Sequence, residues 1–126
     1  MSDADDGPVE RMHAHLAMYD WEAFRGVLSP DVERIGPLGE RLAGRDAYIE
    51  LMSGAGQEAS DRDRRRTTGD VHRVVYSEDR RSAFARVTAH VPREDQEMMI
   101  EQTLAYEIDE NGLISRIEVF WRDPRS

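Results

Sequence analysis

The chain has 126 residues, enough for one domain with one core and a single pocket rather than a cleft between domains. Charged residues make up 34% and the formal net charge is −9, which opposes a role in binding nucleic acid. The absence of cysteine removes disulfides, thiol nucleophiles and thiolate metal ligands together.

Residues 1–8, MSDADDGP, have neither the basic nor the hydrophobic segment of a secretory signal, and a disordered acidic tail is expected there. Residues 9–126 are expected to form a single domain. No apolar run approaches the roughly 20 residues of a membrane helix, so a cytoplasmic protein without membrane contact is expected.

Val9, Met12, Leu16 and Tyr19 recur at helical spacing, which predicts an amphipathic helix over 9–19. Asp20 can cap a second helix over 21–28, burying Trp21, Phe24, Val27 and Leu28 before Ser29-Pro30 stops it. Asp31 to Ile35 reads as a short strand, and Gly36-Pro37-Leu38-Gly39 forces a bend. Gly44-Arg45-Asp46 introduces a third helix over about 46–53. Residues 57–66 are polar, and the basic cluster Arg62, Arg64, Arg65 and Arg66 is broken by Asp61 and Asp63. Without interleaved aromatics that cluster reads as a solvated loop or helix end.

From Thr67 the period switches to alternation, predicting strands over 67–76, 82–91, 97–108 and 113–122. Asn111-Gly112 is a strong hairpin signal, because both residues tolerate positive φ. Three helices followed by a meander of long strands predict an α+β fold, a cone with a curved antiparallel sheet and the helices on its concave face.

Four phrases carry a family resemblance: Tyr19-Asp20-Trp21, Leu28-Ser29-Pro30-Asp31-Val32, Gly44-Arg45-Asp46-Ala47 and Asn111-Gly112-Leu113-Ile114. With the order of elements, they resemble the nuclear transport factor 2-like superfamily, in particular its SnoaL-like branch, over residues 9–122. The resemblance implies the cone fold and a small-molecule pocket; the superfamily holds isomerases, hydrolases, cyclases and binding domains. Its ketosteroid isomerases use a tyrosine and two aspartates, and the matching positions here are Met12, Gly36 and Leu104. Its limonene epoxide hydrolases use an Asp-Arg-Asp set with a tyrosine and an asparagine. The matching positions here hold Val119, Arg86 and Thr88, with Arg34 and Gly36. Only the arginine survives, so neither mechanism carries over.

The same alignment implies that Phe84, Arg86, Thr88 and His90 face the pocket, although Ala83, Ala85, Val87, Ala89 and Val91 form the more apolar face. The expected cavity then joins them to Gln102, Leu104 and Tyr106, to Ile117, Val119 and Trp121, and to Arg34, Tyr48 and Met52. Such an apolar box with a few polar groups fits a small-molecule site. His90 is its candidate acid–base group and Arg86 its candidate oxyanion stabiliser. The plainer alternatives are an ion pair of Arg86 with Glu101 or Glu118, a structural His90 near Pro92, and core roles for Tyr106 and Trp121. His13 and His15 lie two apart on a helix and cannot chelate together, so no metal and no cofactor are expected.

Three functions remain open at this point. They are a cofactor-free isomerase, cyclase or hydrolase acting on an apolar or polycyclic metabolite, a non-catalytic binder of a hydrophobic ligand, and a dimerisation module. A homodimer is expected, on the argument that the alanine-rich face would otherwise be exposed.

Overall fold

The computed structural model describes residues 7–53, 68–93 and 96–122. Residues 1–6 of the expected tail, the 57–66 loop with its arginine cluster, and residues 94–95 of the expected turn lie outside the described residues, whereas Gly7 and Pro8 already belong to the start of the first helix. The α+β architecture is as expected, with three helices preceding a long-stranded meander.

Helix α1 spans Pro8–Ala17 and buries Val9 and Met12. Pro8 occupies its first turn, where a missing N–H costs nothing, and Glu10 reaches back to accept the Gly7 N–H at 2.9 Å. The helix ends sooner than the apolar stripe suggests, because Tyr19 adopts a left-handed φ of +54°. Helix α2 spans Trp21–Gly26, its N-terminus capped by Asp20 accepting from the Ala23 N–H at 3.2 Å.

The expected second helix is two residues too long. Leu28 already belongs to strand β1, Leu28–Ile35, and pairs with Ile114 at the start of the last strand. Pro30 is accommodated there because the ladder is irregular between Leu28 and Glu33. The Gly36–Gly39 bend returns the chain into a strand that sequence reading missed, β2, Arg41–Ala43, which pairs antiparallel with β1. Three residues are too short to show alternation. Helix α3, Arg45–Ser53, follows at once and buries Tyr48.

Strands β3 (Thr68–Tyr76), β4 (Ser82–Arg93), β5 (Gln96–Ile108) and β6 (Ile114–Arg122) complete one six-stranded sheet in the order β2-β1-β6-β5-β4-β3. The last four strands are antiparallel neighbours, as expected, whereas β1 and β6 run parallel, so the sheet is mixed. It is open rather than closed. At the β5–β6 hairpin only Gly112 has positive φ, and Asp109 closes the loop by accepting the Asn111 and Leu113 N–H groups. The longer loop accommodates the register shift beside Ile108.

The helices cover one face of this sheet. Val9, Met12, Phe24 and Tyr48 pack there against Ala83, Ala85, Val87, Leu104, Tyr106, Ile117 and Val119. No helix among the described residues is long and apolar enough to cross a membrane.

Candidate functional site

Register decides which side chains can meet a ligand on the helix-covered inner face. Ala83 stands opposite Tyr106, which stands opposite Ile117; Ala85 aligns with Leu104 and Val119; Val87 aligns with Gln102 and Trp121. Arg34 joins the first row from β1, opposite Ile117. Gln102, Leu104, Tyr106, Ile117, Val119, Trp121 and Arg34 therefore share one face, as expected. Tyr48 is buried against it, and Met52 packs at its edge.

The expected inward facing of Phe84, Arg86, Thr88 and His90 is corrected. Ala83, Ala85, Val87 and Ala89 are at most 5% exposed, while Phe84 is 56% exposed and Arg86 is exposed as well. Along a strand one residue reverses every side chain, and the helices dock on the alanine side. His90 and Arg86 thus lie on the outer face and share no cavity with Tyr106. There His90 Nε2 donates to Asp70 Oδ2 at 2.6 Å, and the His72 ring and the Thr88 hydroxyl share a 2.6 Å hydrogen bond. A shallow recess of about 120 Å³ on this side is bordered by Phe84, Ala105, Glu107, Arg116 and Glu118.

The inner face is closed at one end and open at the other. Tyr106, Ile117 and Ala83 are almost wholly buried, whereas Trp121 and Val71, on the row of Val87 and Gln102, are 54% and 38% exposed. Apolar side chains exposed on a face that is elsewhere covered mark the end at which a ligand could enter.

The polar groups at the closed end differ from those expected. His13 of α1 lies against Tyr106, Nε2 to hydroxyl 2.6 Å, with the two rings edge to face. Burial lowers the His13 pKa from 6.5 to about 4, only partly offset by the Glu10 carboxylate. The ring is therefore neutral at pH 7. The Tyr106 hydroxyl is pushed well above its ordinary pKa, first by burial and then by the neighbouring Tyr48 and Tyr76. It stays protonated.

Next to this pair the Tyr76 hydroxyl donates to Glu10 and accepts the Val9 N–H at 3.1 Å, tying α1 to β3. Tyr48 is also raised to about 12 by burial, opposed by Arg34. Sequence reading missed His13 as a site residue, yet the signal was present. It lies four residues after Val9 and three before Leu16, on the stripe that α1 turns to the sheet.

These features define a class: a helix-covered cone with an apolar inner face and a few converging polar groups. The chain belongs to the SnoaL-like domain family, whose model matches residues 9–117. Solved structures share the fold at low identity. A candidate polyketide cyclase of Xanthomonas campestris pv. campestris aligns with a TM-score of 0.75 at 17% identity, covering 91% of this chain and 87% of the other. An epoxide hydrolase of Mycobacterium tuberculosis, of the limonene epoxide hydrolase-like type, aligns at 0.74 and 15%, covering 91% and 80%. A candidate ketosteroid isomerase of Kribbella flavida aligns at 0.69 and 22%, covering 92% and 76%. No curated protein matches the sequence.

Proposed function

We propose that this chain binds an apolar or polycyclic small molecule against the inner face and acts on it as a cofactor-free isomerase, cyclase or hydrolase. The observation that carries the reading is the hydrogen-bonded His13–Tyr106 pair on an otherwise apolar inner face. A neutral, half-buried imidazole can take a proton from a carbon beside a carbonyl and return it elsewhere on the same molecule. A tyrosine that stays protonated can donate to the oxygen on which charge develops. The known activities named among the structural neighbours support the scaffold, not the substrate.

A specific observation favours the alternative of a non-catalytic binder. Positions matching carboxylates of two of the superfamily's mechanisms hold Gly36, Leu104 and Val119, and Thr88, matched to a fourth, faces outward. Native protein incubated with polycyclic ketones, with melting and product mass or absorbance measured, separates the readings. Turnover that is lost in His13→Gln while the ligand still raises the melting temperature is the expected result. Binding without any chemical change in the native protein leaves the binder, and no binding by any member of the panel removes both.

A homodimer remains part of the proposal, but its motive moves to the other face. Val75, Phe84, Met99 and Phe120 are each about half exposed on the outer face, among charges of both signs including Arg73, Arg86, Glu101 and Glu118. An apolar centre with mixed charges around it suits a self-complementary two-fold contact. Light scattering should show twice the 14.5 kDa chain mass at micromolar concentration. A 14.5 kDa species would rule the dimer out.

A further inference from the structure

Arg34 is out of place on an apolar face. The β1–β6 and β1–β2 registers set it opposite Ile117 and Leu42, both packed in the core, so its side chain leaves the sheet on the helix side. It is half-buried there. Arg73, Arg86 and Arg116 lie on the outer face instead, and Arg116 approaches Glu33 and Glu107.

The Arg34 guanidinium has no hydrogen bond or ion pair among the described residues. Its neighbour Glu33 points to the outer face and binds Arg41 at 2.9 Å. Glu40, the carboxylate that feels its field, is exposed and accepts the Leu38 N–H at 2.8 Å, folded over Gly36. A half-buried guanidinium bonded to no carboxylate among the described residues gives up part of its hydration, which an arriving anion would compensate.

Tyr48, packed on the same face and within the field of Arg34, supplies a second donor. The ring is 3% exposed, held by the Phe24 ring at 5.7 Å, and its hydroxyl has no hydrogen-bond partner among the described residues. A planar guanidinium and a phenol O–H on the same face can each donate to an oxygen of one carboxylate. The apolar face beyond them would take the rest of such a ligand.

We propose that Arg34 and Tyr48 form an anion subsite, so that the ligand of the inner face is an apolar carboxylic acid with its carboxylate held by these two side chains. This rests on the reading of the inner face as a small-molecule pocket. The His13–Tyr106 pair, on the same row beyond Ile117, then meets the adjoining part of the same molecule.

A matched pair of probes tests it: 2-naphthylacetate and 2-(2-naphthyl)ethanol, titrated against the full chain at pH 7 and low salt. They share the apolar body and differ in the carboxylate. The acid is expected to bind at least about tenfold more tightly, the order of difference a charge-assisted contact provides. Arg34→Gln should remove that preference and leave alcohol binding unchanged, with Arg34→Lys retaining part of it. Arg86→Gln, on the outer face, should leave it intact.

Equal binding of the two probes by the native protein overturns the subsite but leaves the pocket. A preference that disappears in Arg86→Gln rather than Arg34→Gln also overturns it, because the anion then binds outside. Failure of both probes to bind overturns subsite and pocket together. Where Arg34→Gln does not fold, Tyr48→Phe serves instead, with a several-fold loss for the acid alone expected and an unchanged preference counting against the proposal.

Discussion

Between pH 6.5 and pH 4 the native protein should lose on the order of 2–3 kcal/mol of stability through His13 alone. The cause is a folded-state pKa lowered to about 4 by burial beside Tyr106, against 6.5 for an unburied imidazole. Above pH 6.5 the ring is neutral in both states and contributes no pH dependence. As the pH falls through 6.5 the unfolded chain takes up a proton that the folded chain refuses, so unfolding becomes easier. Below about 4 both states are charged and the loss is complete. Carboxylates titrate in part of the same window, so the measurement is a comparison. Urea unfolding of the native chain and His13→Gln at pH 7.5 and 4.5 isolates the contribution. If both proteins lose equal stability, His13 is not held neutral and its role as a base fails with it.

Phe24→Ala is expected to be the most damaging single truncation, at about 3–5 kcal/mol. Phe24 is fully buried, with the Trp21 ring edge-on at 5.7 Å and the Tyr48 ring tilted at 5.7 Å. It joins the short helix α2 to α3, and α2 has only six residues, too few to persist without such packing. A domain of this size has roughly 5–15 kcal/mol in total, so the variant should be partly unfolded at modest denaturant. The midpoint of urea unfolding measures this directly. A loss below about 1 kcal/mol would mean that the surroundings close over the cavity, or that the three rings do not carry the helix layer.

The strand half of the molecule was legible because its pattern is long. Four runs of nine or more residues separated by turn-forming residues leave little choice of element or of neighbour. Short elements were not. Strand β2 has three residues, and Leu28 could as well end a helix as begin a strand until Ile114 is seen beside it. The parallel β1–β6 pairing joins the two ends of the chain, and no local pattern records it.

The candidate site divides along the same line. Residues 102, 104, 106, 117, 119 and 121 were placed together correctly, because large apolar side chains alternate with polar ones on β5 and β6. On β4 the alternation sets Ala, Ala, Val and Ala against Phe, Arg, Thr and His. The resemblance to known pockets favoured the second set, and the simple apolar pattern favoured the first. Small residues belong inside there because Tyr106, Met12 and the helices already fill the space above them.

The sequence by itself determined the α+β class, the three helices, the four long strands and the family. Those follow from periodicity and turn chemistry, which act within a few residues. Tertiary structure alone decided which face of β4 is covered and that His13 meets Tyr106 across 93 positions of chain. The physical reason is that a strand presents two faces of equal geometry, and only the docking of helices from elsewhere in the chain makes one of them the interior.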